Sequence, residues 1–104
     1  MRVLKRKIIW TQEARVSLKS ITAYIRKSSP AAADKVKYAI IDLAESTVDF
    51  PDKFHLEPYL LNSQRNIRSV SIWSYKVIYE VTIKEIVIVD VFDGRQDPSK
   101  IKIE

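Results

Sequence analysis

The sequence predicts an α+β domain in the order β-α-α-β-β-β, with an N-terminal helical hairpin packed on one side of a small antiparallel sheet. Three observations carry this expectation. Two stretches in the first half repeat their apolar residues every three or four positions, the period of an amphipathic helix. Three runs rich in Val, Ile, Tyr and Trp follow in the second half: Ile67–Trp73, Tyr75–Val81 and Ile86–Phe92. The breaks at Trp73–Ser74 and Thr82–Lys84 are too short for a crossover helix, so neighbouring runs must pair antiparallel.

Taken in order, residues 3–10 read as a first strand, firmest at Ile8, Ile9 and Trp10. Lys5, Arg6 and Lys7 interrupt its alternation, which suits a short edge strand, and lysine there discourages unwanted strand addition. Thr11 is placed to cap a helix, with Glu13 in the favourable first turn. Ala14, Leu18, Ile21 and Ile25 form its apolar stripe, so the helix is expected from about Gln12 to Lys27. Ser29 then caps a second helix with Pro30 at its first position, and Ala33, Val36, Ile40, Leu43 and Thr47 carry it to about Val48. The short connection predicts an antiparallel pair of helices. Residues 51–65 show no period and read as a loop that places Phe54, Leu56, Tyr59 and Leu60 against the core. In the middle strand Tyr75, Val77, Tyr79 and Val81 share one face, and Lys76, Ile78 and Glu80 the other. IVIVDVF is apolar on both faces apart from Asp90, as a strand covered on both sides is.

Composition narrows the function. A chain of 104 residues suits one domain, residues 1–104, built on one core. No apolar run approaches the length of a membrane span, and MRVLKRKIIW lacks the apolar stretch of a secretory signal. With zero Cys there is neither a disulfide nor a thiolate metal site, and a cytoplasmic location is expected. The lone His55 supplies at most one metal ligand, so neither metal nor cofactor is expected. Gly94 is the only glycine, which excludes a glycine-rich phosphate loop. A Ser-His-Asp or Cys-His nucleophile has no support either. The net charge of +5 is concentrated in residues 1–37, whose local charge is +8. That half fits an acidic protein partner, a nucleic acid or a solvated helix face. What remains for chemistry is a set of cations on a β scaffold, able to hold a phosphodiester or acidic side chains.

Four stretches in their order, IIWTQEARVSLKSITAYI, SPAAADKV, NIRSVSIWSYKVIYEV and IVIVDVFDGRQDP, resemble the RelE/ParE superfamily of toxins from bacterial type II toxin–antitoxin modules, formerly called plasmid stabilisation proteins. The resemblance covers nearly the whole chain and implies the same fold. It also implies two activities. RelE-like members cut mRNA on the ribosome without metal, and on that reading the catalytic cations are Arg95 and Lys76, which match the family's basic positions after the last strand and in the third, with Arg68, which is near those of the second. The tail QDPSKIKIE holds neither the Tyr nor the His that such members use there. ParE-like members instead inhibit DNA gyrase; the long helical hairpin and VFDGRQDP resemble that branch, with Arg95, Gln96 and Asp97 on the target-binding surface. A cognate antitoxin is implied in either case, received by the basic first helix and the groove of the hairpin. A toxin relic that only binds its antitoxin is a third possibility.

Plainer roles stand beside these. Arg68 is near enough in sequence to pair with Glu80 or Glu85 across strands, and Lys76 to solvate an open sheet face. A tight turn at Trp73–Ser74 pairs Ser71 with Lys76 and puts Arg68 on the opposite face, unless a bulge intervenes. Tyr75, Tyr79 and Trp10 are expected in the core, and His55 in a loop.

Overall fold

The computed structural model describes residues 5–58 and 64–95. Thr11 begins the first helix as expected: its Oγ1 accepts from the Ala14 N–H at 3.1 Å and donates to the Ile88 carbonyl at 2.8 Å. One side chain thus caps α1 (Gln12–Arg26) and ties it to the sheet. Ser29 accepts from Ala32 N–H at 3.1 Å, and with Pro30 at the first position it opens α2 (Pro30–Ser46). Both helices end a residue or two before the expected points. The Thr47 hydroxyl donates to the Ala44 carbonyl at 2.7 Å, which closes the last turn in a buried setting.

The strands are β1 (Lys7–Trp10), β2 (Ile67–Ile72), β3 (Tyr75–Val81) and β4 (Glu85–Asp93), arranged in the order β1-β4-β3-β2. β2, β3 and β4 form the expected antiparallel meander. β1 differs: it lies parallel to β4, with Ile8 opposite Ile86 and Trp10 opposite Ile88, so the sheet is mixed. The hairpin rule binds only strands joined by short turns, and β1 is joined to none. Arg6 Nε donating to Thr82 O at 2.7 Å and Lys7 N–H to Lys84 O at 2.9 Å set its direction beside β4.

β3 is the middle of this arrangement. Val77, Ile78 and Tyr79 are each fully buried, although neighbouring residues point to opposite faces. On the helix side Tyr75, Val77 and Tyr79 pack with Ala14, Leu18, Ile40, Ala44, Ile86, Ile88 and Val91. On the other face Ile78 joins Ile67, Val89 and Phe92 in a second cluster. A bulge in β4 accompanies this: Ile78 faces Asp90 but Tyr79 faces Ile88, leaving Val89 as the extra residue. Asp90 Oδ1 accepts from the Ser17 hydroxyl of α1 at 2.6 Å. Burial pushes the Asp90 carboxyl above its usual range.

The segment after α2 is more ordered than a plain loop. Leu56 forms an isolated antiparallel bridge to Arg68, with Glu57 N–H donating to Ile67 O at 2.9 Å and Ser69 N–H to His55 O at 3.0 Å. It therefore lies along the free edge of β2. Phe54 packs on the core as expected, but Leu56 is exposed instead of covering it. Tyr59 and Leu60 lie outside the described residues. The Tyr79 hydroxyl donates to the Pro51 carbonyl at 2.9 Å, joining this segment to the centre of the sheet. Burial raises the Tyr79 phenol to about 12, so it stays a donor throughout the physiological range. Tyr79→Phe keeps the ring and removes that one hydrogen bond. It is expected to cost ~1 kcal/mol and lower Tm by roughly 4–8 °C in thermal denaturation, with earlier proteolytic cleavage between residues 50 and 58.

Candidate functional site

Strand order places the three candidate cations apart. Arg68 faces Tyr79 across the β2–β3 ladder, on the helix side, whereas Lys76 faces Ser71 on the other. The two-residue turn fixes this, and the bulge lies between β3 and β4, where it does not realign β2 with β3. Arg95 follows the end of β4, where Asp93 is opposite Tyr75.

Each cation is also held by neighbours. Arg68 donates from Nη1 to the Phe54 carbonyl at 2.7 Å and from Nε to Asn66 Oδ1 at 3.0 Å, with Asp52 Oδ1 at 3.5 Å. Its guanidinium clamps the edge segment to β2. The cross-strand pairing expected of it belongs to Arg65, which grips Glu80 through Nε at 2.9 Å and Nη2 at 2.7 Å. Arg65 precedes β2 and still reaches Glu80, whereas Arg68 points to the helix side, away from it. Lys76 Nζ donates to Glu57 Oε1 at 3.0 Å; the Glu57 side chain is fully buried, so Lys76 does more than solvate a face. Arg95 makes a two-pronged contact with Asp93, Nε to Oδ1 at 2.9 Å and Nη2 to Oδ2 at 2.7 Å. Its side chain remains 67% exposed, turned outward despite the pairing. Gln96 and Asp97 lie outside the described residues.

The end of β4 is built by a close approach of backbones. Gly94 N–H donates to the Ser74 carbonyl at 2.6 Å, and a Cβ on Gly94 would stand 2.9 Å from that oxygen. Only glycine fits there without a backbone shift, which accounts for the single glycine of the chain. This contact joins the β2–β3 turn to Arg95. Beside it, a groove of about 390 Å³ is lined by Ser20, Ile21 and Tyr24 of α1 with Tyr75, Asp93 and Arg95. Where α1, α2 and the end of β1 meet, a second groove has Trp10, Leu18 and Ile41 for its floor and Arg15, Lys19 and Lys37 at its rim. Among the described residues no three His, Asp or Glu side chains group to hold a metal ion, and no helix is long and apolar enough to cross a membrane.

Several participants escaped the sequence reading. Tyr24 is 74% exposed, and the signal was available, since it falls off the Ala14–Ile25 stripe of α1. Glu57 gave no signal, because its burial depends on how the edge segment docks.

The comparisons with known proteins bear on this arrangement directly. A model of the ParE toxin of the type II toxin–antitoxin system parDE matches residues 8–98. The chain belongs to the ParE toxin family. Among solved structures it is similar to a chain from the chromosomal ParDE toxin–antitoxin system of P. aeruginosa, at 21% identity and a TM-score of 0.67. That match covers 84% of this chain and 94% of the other, and it shows a shared fold. No curated protein matches. The family match places this chain on the ParE side of the resemblance drawn from its motifs.

The paired carboxylates of this ParE-family chain predict its acid behaviour. The Arg65 hydrogen bond holds Glu80 below its usual pKa, and the Arg95 hydrogen bond does the same for Asp93. A depressed folded pKa adds stability that is full above the unfolded value and is lost as pH falls through the folded one. Stability is therefore expected to be level near neutrality and to drop below about pH 4. Glu80→Gln, followed by urea denaturation across pH, is expected to cost about 1–2 kcal/mol at pH 7 and to flatten the acid decline. An unchanged slope contradicts the assignment.

Proposed function

We propose that this ParE-family toxin acts by binding DNA gyrase and blocking its cycle, and that a cognate antitoxin neutralises it. The observation that carries the reading is the dispersal of the cations. Arg68, Lys76 and Arg95 occupy two faces and one strand end, each engaged by its own partner. Cleavage of a phosphodiester by charge stabilisation needs donors converging on one developing charge. Binding a macromolecule needs a broad surface, and the chain offers exposed aromatic and cationic groups at the end of β4. Arg95 and the Gln96 and Asp97 that follow it are proposed as part of the contact with gyrase.

The antitoxin is proposed to use the groove where α1, α2 and the end of β1 meet. Its apolar floor and its rim of Arg15, Lys19 and Lys37 suit an amphipathic helix with an acidic edge. The rim accounts for attraction and orientation, and the floor for most of the retained affinity.

The test on purified protein is supercoiling by gyrase at increasing toxin. Inhibition is expected, weakened at least ten-fold by Arg95→Ala; full supercoiling at saturating toxin across several bacterial gyrases sinks the reading. For the antitoxin, the double variant Lys19→Glu with Lys37→Glu is expected to weaken binding at least ten-fold at low salt. That deficit should narrow at 0.5 M salt, where screening acts over a few ångströms. Equal affinity for both proteins at low salt would place the antitoxin elsewhere.

A further inference from the structure

The turn between β2 and β3 carries an unusual residue. Ile72 pairs with Tyr75, which leaves Trp73 and Ser74 as a two-residue hairpin loop. Trp73 has φ 53°, the left-handed region that such turns normally fill with Gly, Asn or Asp. A bulky side chain is a poor choice there on conformational grounds, and its indole is not used by the core, being 57% exposed. Residues held in a disfavoured backbone region while exposed point to a role outside the fold.

Its surroundings are of the same kind. Lys35 of α2 lies with Nζ 5.8 Å from the centre of the indole ring, within cation–π range. On the other side, the Ser74 carbonyl receives Gly94 N–H, so the turn is bound to the segment that ends in Arg95. Tyr24, 74% exposed, shares the groove beside Arg95. Trp, Tyr and Arg are the residue types that dominate binding energy in protein interfaces. Here one of each stands at the same end of the molecule, anchored on three elements.

We infer that this end, centred on Trp73 with Tyr24, Arg95 and Lys35, is the surface that grips the toxin's protein target, the indole entering an apolar pocket rimmed by acidic groups. One feature favours a protein over nucleic acid. Nε and Nη2 of Arg95 each donate to Asp93, so that edge of the guanidinium is taken and the pair carries little net charge with which to hold a phosphate. Lys35 forms no ion pair among the described residues and is open to an acidic group at the rim of the partner's pocket. The surface is separate from the antitoxin groove, whose lining shares none of these four residues. The inference rests on the reading that the chain acts by binding a macromolecular target, and it extends that reading from the tail after Arg95 to the hairpin turn.

The test uses the full chain and two variants. Trp73→Asn replaces a strained residue by one that accepts φ > 0, so Tm is expected to rise by roughly 2–5 °C. Its inhibition of gyrase should nonetheless need at least ten-fold more toxin, while its affinity for the co-expressed antitoxin stays within two-fold. Trp73→Phe, which keeps an aromatic ring, should fall between, at three- to ten-fold. Growth arrest on induction is measured in parallel. A wild-type chain that spares gyrase but arrests growth, with arrest lost in Trp73→Asn, upholds the surface and sinks gyrase as its target. If Trp73→Asn is less stable than wild type, the Trp73→Phe result decides. Full inhibition and arrest by Trp73→Asn overturns the inference. So does an equal loss of antitoxin binding, or Trp73-dependent binding of the isolated toxin to single-stranded DNA. A wild-type chain that neither inhibits gyrase nor arrests growth overturns both proposals.

Discussion

Two apolar clusters share β3, and neither is complete without it. A strand presents alternate residues to opposite faces, so the fold requires Tyr75, Val77 and Tyr79 to be covered by the helices while Ile78 is covered on the far side. Fully burying each such side chain contributes about 1.5–3 kcal/mol, so loss of either cover leaves a large share of the stability unmade. The rest of the chain follows from this double demand. The helices are capped by Thr11 and Ser29 at the positions that bring their apolar stripes over β3 and β4. β4 admits an extra residue at Val89, and Asp90 there engages Ser17 of α1. Tyr79, in the middle, is both packed and hydrogen-bonded, and through Pro51 it holds the segment that covers the edge of β2.

The same demand explains where the charges are. With β3 buried on both faces, a cation on the sheet reaches solvent only near an edge or an end. Arg65 and Arg68 occupy the β2 edge and its approach, Lys76 pairs inward with Glu57, and Arg95 sits past the end of β4. Three of these four have become structural ties, each tethering a segment that lacks a core of its own. Arg95 differs, because its partner Asp93 is its near neighbour in sequence and the pair stays at the surface. That end of the molecule combines an outward Arg–Asp pair, two exposed aromatic rings and a lysine. Such a surface suits recognition of another macromolecule, and it accords with membership of the ParE toxin family.

Much of the fold was legible because it is written locally. A cap needs only Thr or Ser before an apolar period, and a two-residue break between β runs compels an antiparallel pair. The same turn geometry correctly separated Arg68 from Lys76. The direction of β1 was not legible, since it depends on contact with β4 from the far end of the chain and on no turn. The bulge was hidden because IVIVDVF is apolar on both faces, so a slip of one residue leaves no break in its pattern. The partners of Arg68 and Lys76 were missed for a related reason. Apart from Asn66, they come from residues 52–57, whose path is set by docking on an edge and not by any periodicity. At the end of β4, Arg95 was singled out by the lone glycine before it; Trp73 was legible as the end of a strand and part of a tight turn, but its backbone angle belongs to the folded turn.

The central claim is that the toxin works by presenting the end of its sheet to a protein, and amide hydrogen exchange of the whole chain with and without gyrase tests it most directly. The expected result is slow exchange throughout β3 in both states, with new protection on adding gyrase confined to residues 73–75, 93–95 and the Tyr24 turn of α1. Protection that instead falls on the groove between the helices and the end of β1, or none at all with gyrase in excess, would contradict the account.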